Sequence, residues 1–272
     1  AYDTDTTAAG TNIDLTLMGA VKTIGVLSGS ATGDITVSGA KSMLDLSMAN
    51  SAGDIVMDYP GGVTSALLGP QTQNITLSNV TAGKYTIASV ETVNIDTGSL
   101  LKSAVTELEI DGASTLNITG SVDLNTGSAT NFKDNALAGV GAISGTVDAS
   151  AFTGKLTFTS EADTMDIRGG TNNDTFKMVG TMNGFDKVDG GEGTDTLTMN
   201  AATLGTQFTQ VSNIETVKFN SSDAGIAFDV SKLPAGVTSI GVDLQDGTDG
   251  GNALLASTVT KADGMLINIS KT

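Results

Sequence analysis

The chain has 272 residues, with 30 acidic and 13 basic side chains, a net charge of −17, and no Cys, His or Trp. That composition excludes disulfides, thiolate or imidazole metal sites and His- or Cys-based catalysis, and so large an acidic excess argues against nucleic acid or an anionic membrane surface as partner. Hydrophobic residues at 39% with only 4% aromatic predict a narrow core of Ile, Val, Leu and Met, with turns made by the 34 glycines and by Asn and Asp.

The chain opens at Ala1 without a signal-peptide pattern and is expected to be a piece of something longer. No apolar run approaches the length that spans a bilayer. From the N-terminus, a unit of about twenty residues repeats. Asp14-Leu15-Thr16-Leu17 is followed at twenty-residue steps by Asp34-Ile35-Thr36-Val37, Asp54-Ile55-Val56-Met57, Asn74-Ile75-Thr76-Leu77 and Asn94-Ile95-Asp96-Thr97. A three-residue slip precedes Asn117-Ile118-Thr119-Gly120. A second alternating run lies about ten residues from the first in each unit, as in Ile24 with Val26, Leu44 with Leu46 and Tyr85 with Ile87.

Alternation of period two predicts half-buried strands. No stretch carries a helical stripe, and the closest, Ala136 to Ala142, is too rich in Gly. Coils of this length hold two or three short strands, and stacking them parallel at ~4.8 Å completes the burial that no single coil achieves. The expected fold is therefore all-β, a right-handed parallel β-helix or β-solenoid, with the hand taken from the rule for parallel crossovers. In such a stack Asp14, Asp34 and Asp54 are expected one above another, needing solvent or a cation, while Asn74 and Asn94 are expected to form an amide ladder.

Residues 1–125 read as the regular part and 126–272 as a less regular continuation. The tract from Thr126 to Phe152 alternates weakly. Strands are then expected around Leu156–Phe158, Met165–Ile167, Phe176–Met178, Leu197–Met199, Val217–Phe219, Ile226–Val230, Ser239–Leu244 and Met265–Ile269. Asn200 to Ser212 is long enough for an excursion with a short helical turn.

Two glycine-rich nonapeptides carry the chemical signal. Gly190-Gly191-Glu192-Gly193-Thr194-Asp195-Thr196-Leu197-Thr198 fits the pattern G-G-x-G-x-D-x-U-x throughout, U being a large apolar residue. Gly169-Gly170-Thr171-Asn172-Asn173-Asp174-Thr175-Phe176-Lys177 fits it with Asn172 for the third glycine, a residue that tolerates a left-handed backbone. Glycines let carbonyls turn inward, the Asp adds a carboxylate, and Ca2+ takes roughly 6 to 8 such oxygens. One turn makes half a cage. The motifs start 21 residues apart, so Asp174 and Asp195 are expected on one edge, sharing an ion with the carbonyls of Gly170, Asn172, Gly191 and Gly193. Asp163, in a weaker Asp-Thr-apolar echo, and Asp189 are further candidate ligands. Gly247 to Leu254, with Asp249 and Asn252, is a looser Gly-rich turn.

At these residues the chain resembles the RTX, or β-roll, proteins exported by type I secretion. The nonapeptides are followed by Gln210-Val211-Ser212-Asn213-Ile214-Glu215-Thr216-Val217, a phrase that recurs in Ser89-Val90-Glu91-Thr92-Val93. This coupling is similar to bacterial surface-layer (S-layer) proteins such as those of Caulobacter and Campylobacter. The resemblance implies calcium-dependent folding outside the cell and self-assembly into a two-dimensional lattice on the cell surface. A cell-surface polysaccharide bound through another region is a further candidate partner. Long RTX arrays have many consecutive nonapeptides, whereas two occur here.

Two other classes are weighed. A calcium-dependent polysaccharide-active enzyme needs a base or a cationic group beside an aromatic-lined groove, and this chain has one arginine, Arg168, and 3 Tyr; no enzyme activity is expected. An adhesin or ice-binding solenoid would use a flat threonine ladder, for which Thr16, Thr36 and Thr76 are candidates, interrupted by Val56 and ended by Asp96.

Overall fold

The computed structural model describes residues 10–26, 33–64, 69–98, 100–132, 145–160, 164–178, 182–200, 207–221, 232–244 and 266–271. The segments expected at Ala136–Ala142, Ile226–Val230 and Gly247–Leu254 lie outside them. The described strands all pair in parallel and form one 14-stranded and one 9-stranded sheet. Over most of the chain successive strands alternate between the two sheets, so each coil contributes to both. The protein is a parallel β-solenoid, and both sheets run from the regular first part into the second: Leu116 pairs with Val147 and Leu124 with Leu156.

Period-two sequence becomes period-two burial. Thr72–Ser78 alternates exposed and buried along its length, and its inward Ile75 and Leu77 stack on Leu46 and Met48 of the preceding coil. In the second sheet one inward column runs Ile24, Leu46, Ile75, Ile95, Ile118. Another runs Val93, Leu116, Val147, Ile167, Val188. β-Branched side chains suit such columns because the pleat holds them in one rotamer. The aliphatic core expected from composition holds in the early coils. Later coils place Phe158 directly on Phe176 and also bury Phe132, Phe152 and Phe219.

The twenty-residue repeat does not form one ladder. Ile35 pairs with Ile55, but Ile55 pairs with Tyr85, thirty residues on. Asn74-Ile75 lies in the other sheet, over Leu46 and under Asn94-Ile95. The connection between Asp58 and Gln71 is about ten residues longer than its counterparts, so the twenty-residue phrase falls on the other sheet from Ile75 onward. Tyr59, at the start of this longer connection, is buried. Its hydroxyl donates to Gln73 Oε1 at 2.6 Å, and Gln73 Nε2 donates to the Leu44 carbonyl at 2.7 Å. Burial pushes the Tyr59 hydroxyl up to about 12.

Asp14 also departs from its expected place. Thr11 pairs with Ile35, so Asp14 lies opposite Ser38 and not on Asp34. Its Oδ1 accepts the Thr16 N–H at 2.8 Å and the Thr16 hydroxyl, and these bonds hold the carboxyl below its ordinary value. Asp34 and Asp54 do stack. Asp54 Oδ1 accepts the Lys84 N–H at 2.6 Å, so a backbone amide of the next coil answers that charge. The threonine ladder does not form either, because Thr36 pairs with Val56 in one sheet while Thr76 pairs with Ser47 in the other. The amide ladder is present and longer than expected. Asn117 donates to Asn94 at 2.8 Å, Asn94 to Asn74 at 2.9 Å, and Asn74 to Asp45 at 2.9 Å. The tract before Ser212 closes in a hydrogen-bonded turn over residues 207–210.

Candidate cation-binding edge

Backbone amides at the start of a strand have no ladder partner within their own coil and need an acceptor. On one edge of the 14-stranded sheet, acidic side chains of the following coil supply it. Asp174 Oδ1 accepts the Leu156 N–H at 2.8 Å, Asp195 Oδ1 accepts the Asp174 N–H at 2.7 Å, and Glu215 Oε2 accepts the Asp195 N–H at 2.7 Å. Thr175 pairs with Thr196 and Thr196 with Thr216, so these three acids occupy equivalent positions in consecutive coils. Earlier coils bury Leu124 and Leu156 at the same inward position. Asp174 and Asp195 thus lie on the same edge, one coil apart, and both are 1% exposed.

The two nonapeptides fold differently. Gly191 and Gly193 have φ of +90° and +122°, whereas Gly169, Gly170 and Asn172 all stay outside the left-handed region. Asn172 therefore does not reproduce the third glycine's backbone. It is exposed, and its Oδ1 accepts the Asn173 N–H at 2.8 Å. In the first motif the Gly170 N–H points to Asp174 Oδ2 at 2.8 Å, which satisfies both oxygens of that carboxylate. In the second, the left-handed Gly191 turns its N–H toward Asp189 Oδ1 at 3.3 Å. Asp195 Oδ2 is left buried with no hydrogen-bond partner.

The electrostatics follow from this difference. Burial raises the Asp174 carboxyl, opposed by its two amide bonds and by nearby Lys155. Asp195 is pushed up to about 7, first by burial and then by the charges of Asp174, Glu215 and Asp189, with one amide opposing. No cation lies among the neighbours that shift it. Asp189 also accepts from Asn213 Nδ2 at 2.7 Å. The Gly170 carbonyl accepts the Glu192 N–H at 3.0 Å. Asp163 lies outside the described residues.

Glu215 and Asp186 were not among the residues singled out by the motifs. Asp186 is fully buried, its oxygens taken by the Met165 N–H at 2.9 Å and the Asn183 N–H at 2.7 Å, and burial raises its carboxyl. Glu215 had a signal in the repeated phrase. Ser89 and Asn213 are both left-handed, Val90 and Ile214 are both buried, and Glu91 Oε2 accepts the Gln71 N–H at 2.6 Å just as Glu215 accepts that of Asp195. The phrase encodes a turn in which a glutamate reaches back to cap the preceding coil.

Among the described residues no three acidic side chains close as a group around one point, so a hard cation at Asp195 would need backbone carbonyls to complete its shell. The donor set suits that demand: only oxygen ligands, one orphaned carboxylate oxygen, and carbonyls of one coil pressed on glycines of the next. A Cβ at Gly193 would sit 2.7 Å from the Asn172 carbonyl oxygen. Fold and edge together define a parallel β-solenoid with buried carboxylates at its turns. No protein-family model, curated protein or solved structure matches the chain.

Proposed function

We propose that this chain is a calcium-stabilised, non-catalytic solenoid of a bacterial surface layer, ordered by the ion outside the cell and self-assembling into a two-dimensional lattice. The observation that carries the calcium reading is Asp195 Oδ2, a buried and unpartnered carboxylate oxygen on a group that burial and the charges of Asp174, Glu215 and Asp189 all disfavour as an anion. A buried charge without a partner is costly; a divalent ion would supply the missing counter-charge. Asp174, Asp189, Glu215 and the carbonyls of Gly170, Asn172, Gly191 and Gly193 are the groups proposed to complete the shell. The surface-layer reading rests on the nonapeptides and the Glu-Thr-Val phrase together with an acidic, cysteine-free, repetitive architecture.

Thermal unfolding in millimolar calcium against EGTA, for the wild type and for Asp195→Asn, tests the ion. Calcium raises the wild-type midpoint and leaves the variant's nearly unchanged; a wild-type midpoint indifferent to calcium overturns the site. Negative-stain microscopy under the same two conditions tests the lattice. Ordered sheets form only with calcium, and an ion-stabilised protein that stays monomeric at high concentration overturns the surface-layer reading alone.

A further inference from the structure

We propose that the outward face of the 14-stranded sheet, from the groove beside Lys102 and Lys155 to Lys218, binds an anionic polysaccharide laid along the solenoid axis. The groove forms where two coils contribute only the short strands Ser103–Ala104 and Leu124–Asn125. It encloses about 450 Å³, with Lys102, Asp123 and Lys155 along one rim and Asn79, Asn125 and Thr157 among its polar walls. Strand register carries the face onward. Asn125, Thr157, Thr175, Thr196, Thr216 and Ser239 form one column. Beside it run Lys177, Thr198, Lys218 and Gly241.

No acidic residue occupies either column, in a chain with 30 acids against 13 bases; Lys102 and Lys155 stand in the adjoining row on either side of Asp123, whose Oδ1 accepts the Lys155 N–H at 2.9 Å. Outward positions of the same sheet elsewhere carry Asp14, Asp58, Glu107 and Glu109. Lys102, Lys155, Lys177 and Lys218 are exposed, and among the described residues the ion pairs involve only Lys84 and Lys187. Asp174, Asp195 and the half-buried Glu215 flank the face; each gives one oxygen to a backbone amide of the preceding coil, and the two aspartates are buried.

Dimensions and chemistry choose the occupant. From the Lys102 coil to the Lys218 coil are five steps, roughly 24 Å, and the two columns are about 7 Å apart. That strip, on the order of 200 Å², is far below the ~800 Å² per partner of a stable protein contact but matches an extended polymer chain. Threonine hydroxyls both donate and accept, as sugar hydroxyls require, and lysines at a two-coil step of roughly 9.5 Å meet periodic negative groups. Nucleic acid fits less well, because the face has no aromatic ring for base stacking.

The test is fluorescence anisotropy of a labelled hyaluronan oligosaccharide with the full chain, in EGTA and again in calcium, so that it stands apart from the ion site. Lys102→Glu with Lys177→Glu weakens binding about tenfold or more, while Lys22→Glu with Lys41→Glu, an equal charge change at exposed positions elsewhere, has less than a third of that effect. Should the glutamate pair unfold the protein, Lys102→Gln with Lys177→Gln gives the same ordering. Neutral dextran does not compete. Equal losses from both lysine pairs, competition by dextran, tighter binding of oligothymidylate than of hyaluronan, or a face variant that changes only self-association in sedimentation each overturn the proposal.

Discussion

Two aspartates at equivalent positions, one coil apart, differ in a single hydrogen bond, and that bond sets opposite expectations for them. Asp174 accepts an amide at each oxygen, so Asp174→Asn turns an NH2 toward a backbone donor and costs about 1–3 kcal/mol, read from the urea midpoint. Asp195 has one oxygen unanswered. In EGTA, Asp195→Asn removes a buried charge repelled by three others and raises the midpoint. Its pH dependence has a definite sign. The group titrates near its ordinary 3.8 when unfolded and at about 7 when folded. Below about pH 4 both states are protonated and nothing is lost. Between the two values the folded state holds a proton that the unfolded state has released, so metal-free stability falls as pH rises and levels off above about 7. Urea unfolding from pH 4 to 8 in EGTA shows this decline in the wild type and a flatter curve in Asp195→Asn. The motif made both aspartates legible. The contrast between them was not, because it turns on the backbone angle of Gly191, which the matching letters Gly-Gly in both motifs conceal.

At the scale of single strands and turns, much of the sequence reading carries over. The expected strands at Met165–Ile167, Phe176–Met178 and Leu197–Met199 all lie within strands, and the asparagine ladder forms between the residues named for it. A short phrase that first served only as a likeness acquires a physical meaning in the structure: left-handed residue, buried apolar residue, glutamate reaching back. Glu91→Ala therefore strands the Gln71 N–H and costs about 1–3 kcal/mol, whereas Glu91→Gln, which retains an acceptor oxygen, costs less; chemical denaturation of both variants measures the difference. Asn94→Ala interrupts the ladder between Asn74 and Asn117. Because these side chains are partly solvated, the expected loss is near the lower end, about 0.5–1.5 kcal/mol. What the sequence conceals here is which coil a residue faces. Asp14 opens the same polar–apolar pattern as Asp34, yet the pairing of Thr11 with Ile35 moves it out of the column.

At the scale of the whole molecule, the described strands pair only with strands of the coils before and after them, so stability is close to a sum of coil and neighbour terms. Removing a ring from the middle of a column harms two interfaces. Phe176 lies between Phe158 and Leu197 and is fully buried; Phe176→Ala is expected to cost about 3–5 kcal/mol. Hydrogen exchange should localise the faster opening to the coils around residues 156–199 and leave Ile24 to Leu77 protected; uniform loss of protection along the chain would contradict the additive picture. The fold class was legible because period-two alternation and a sustained repeat survive any detail of the turns. Register was not, because it depends on how many residues each connection adds.

The long connection between Asp58 and Gln71 has a consequence for how such a molecule changes over time. Gaining or losing a complete coil leaves every downstream decoration on its original side, since the pitch is preserved. Trimming this connection to the length of its counterparts would do the same, because about ten residues elsewhere already carry the chain from one sheet to the other. One lengthened connector thus lets a recurring phrase of letters migrate to the opposite flank of a locally repetitive object while every strand keeps its sheet.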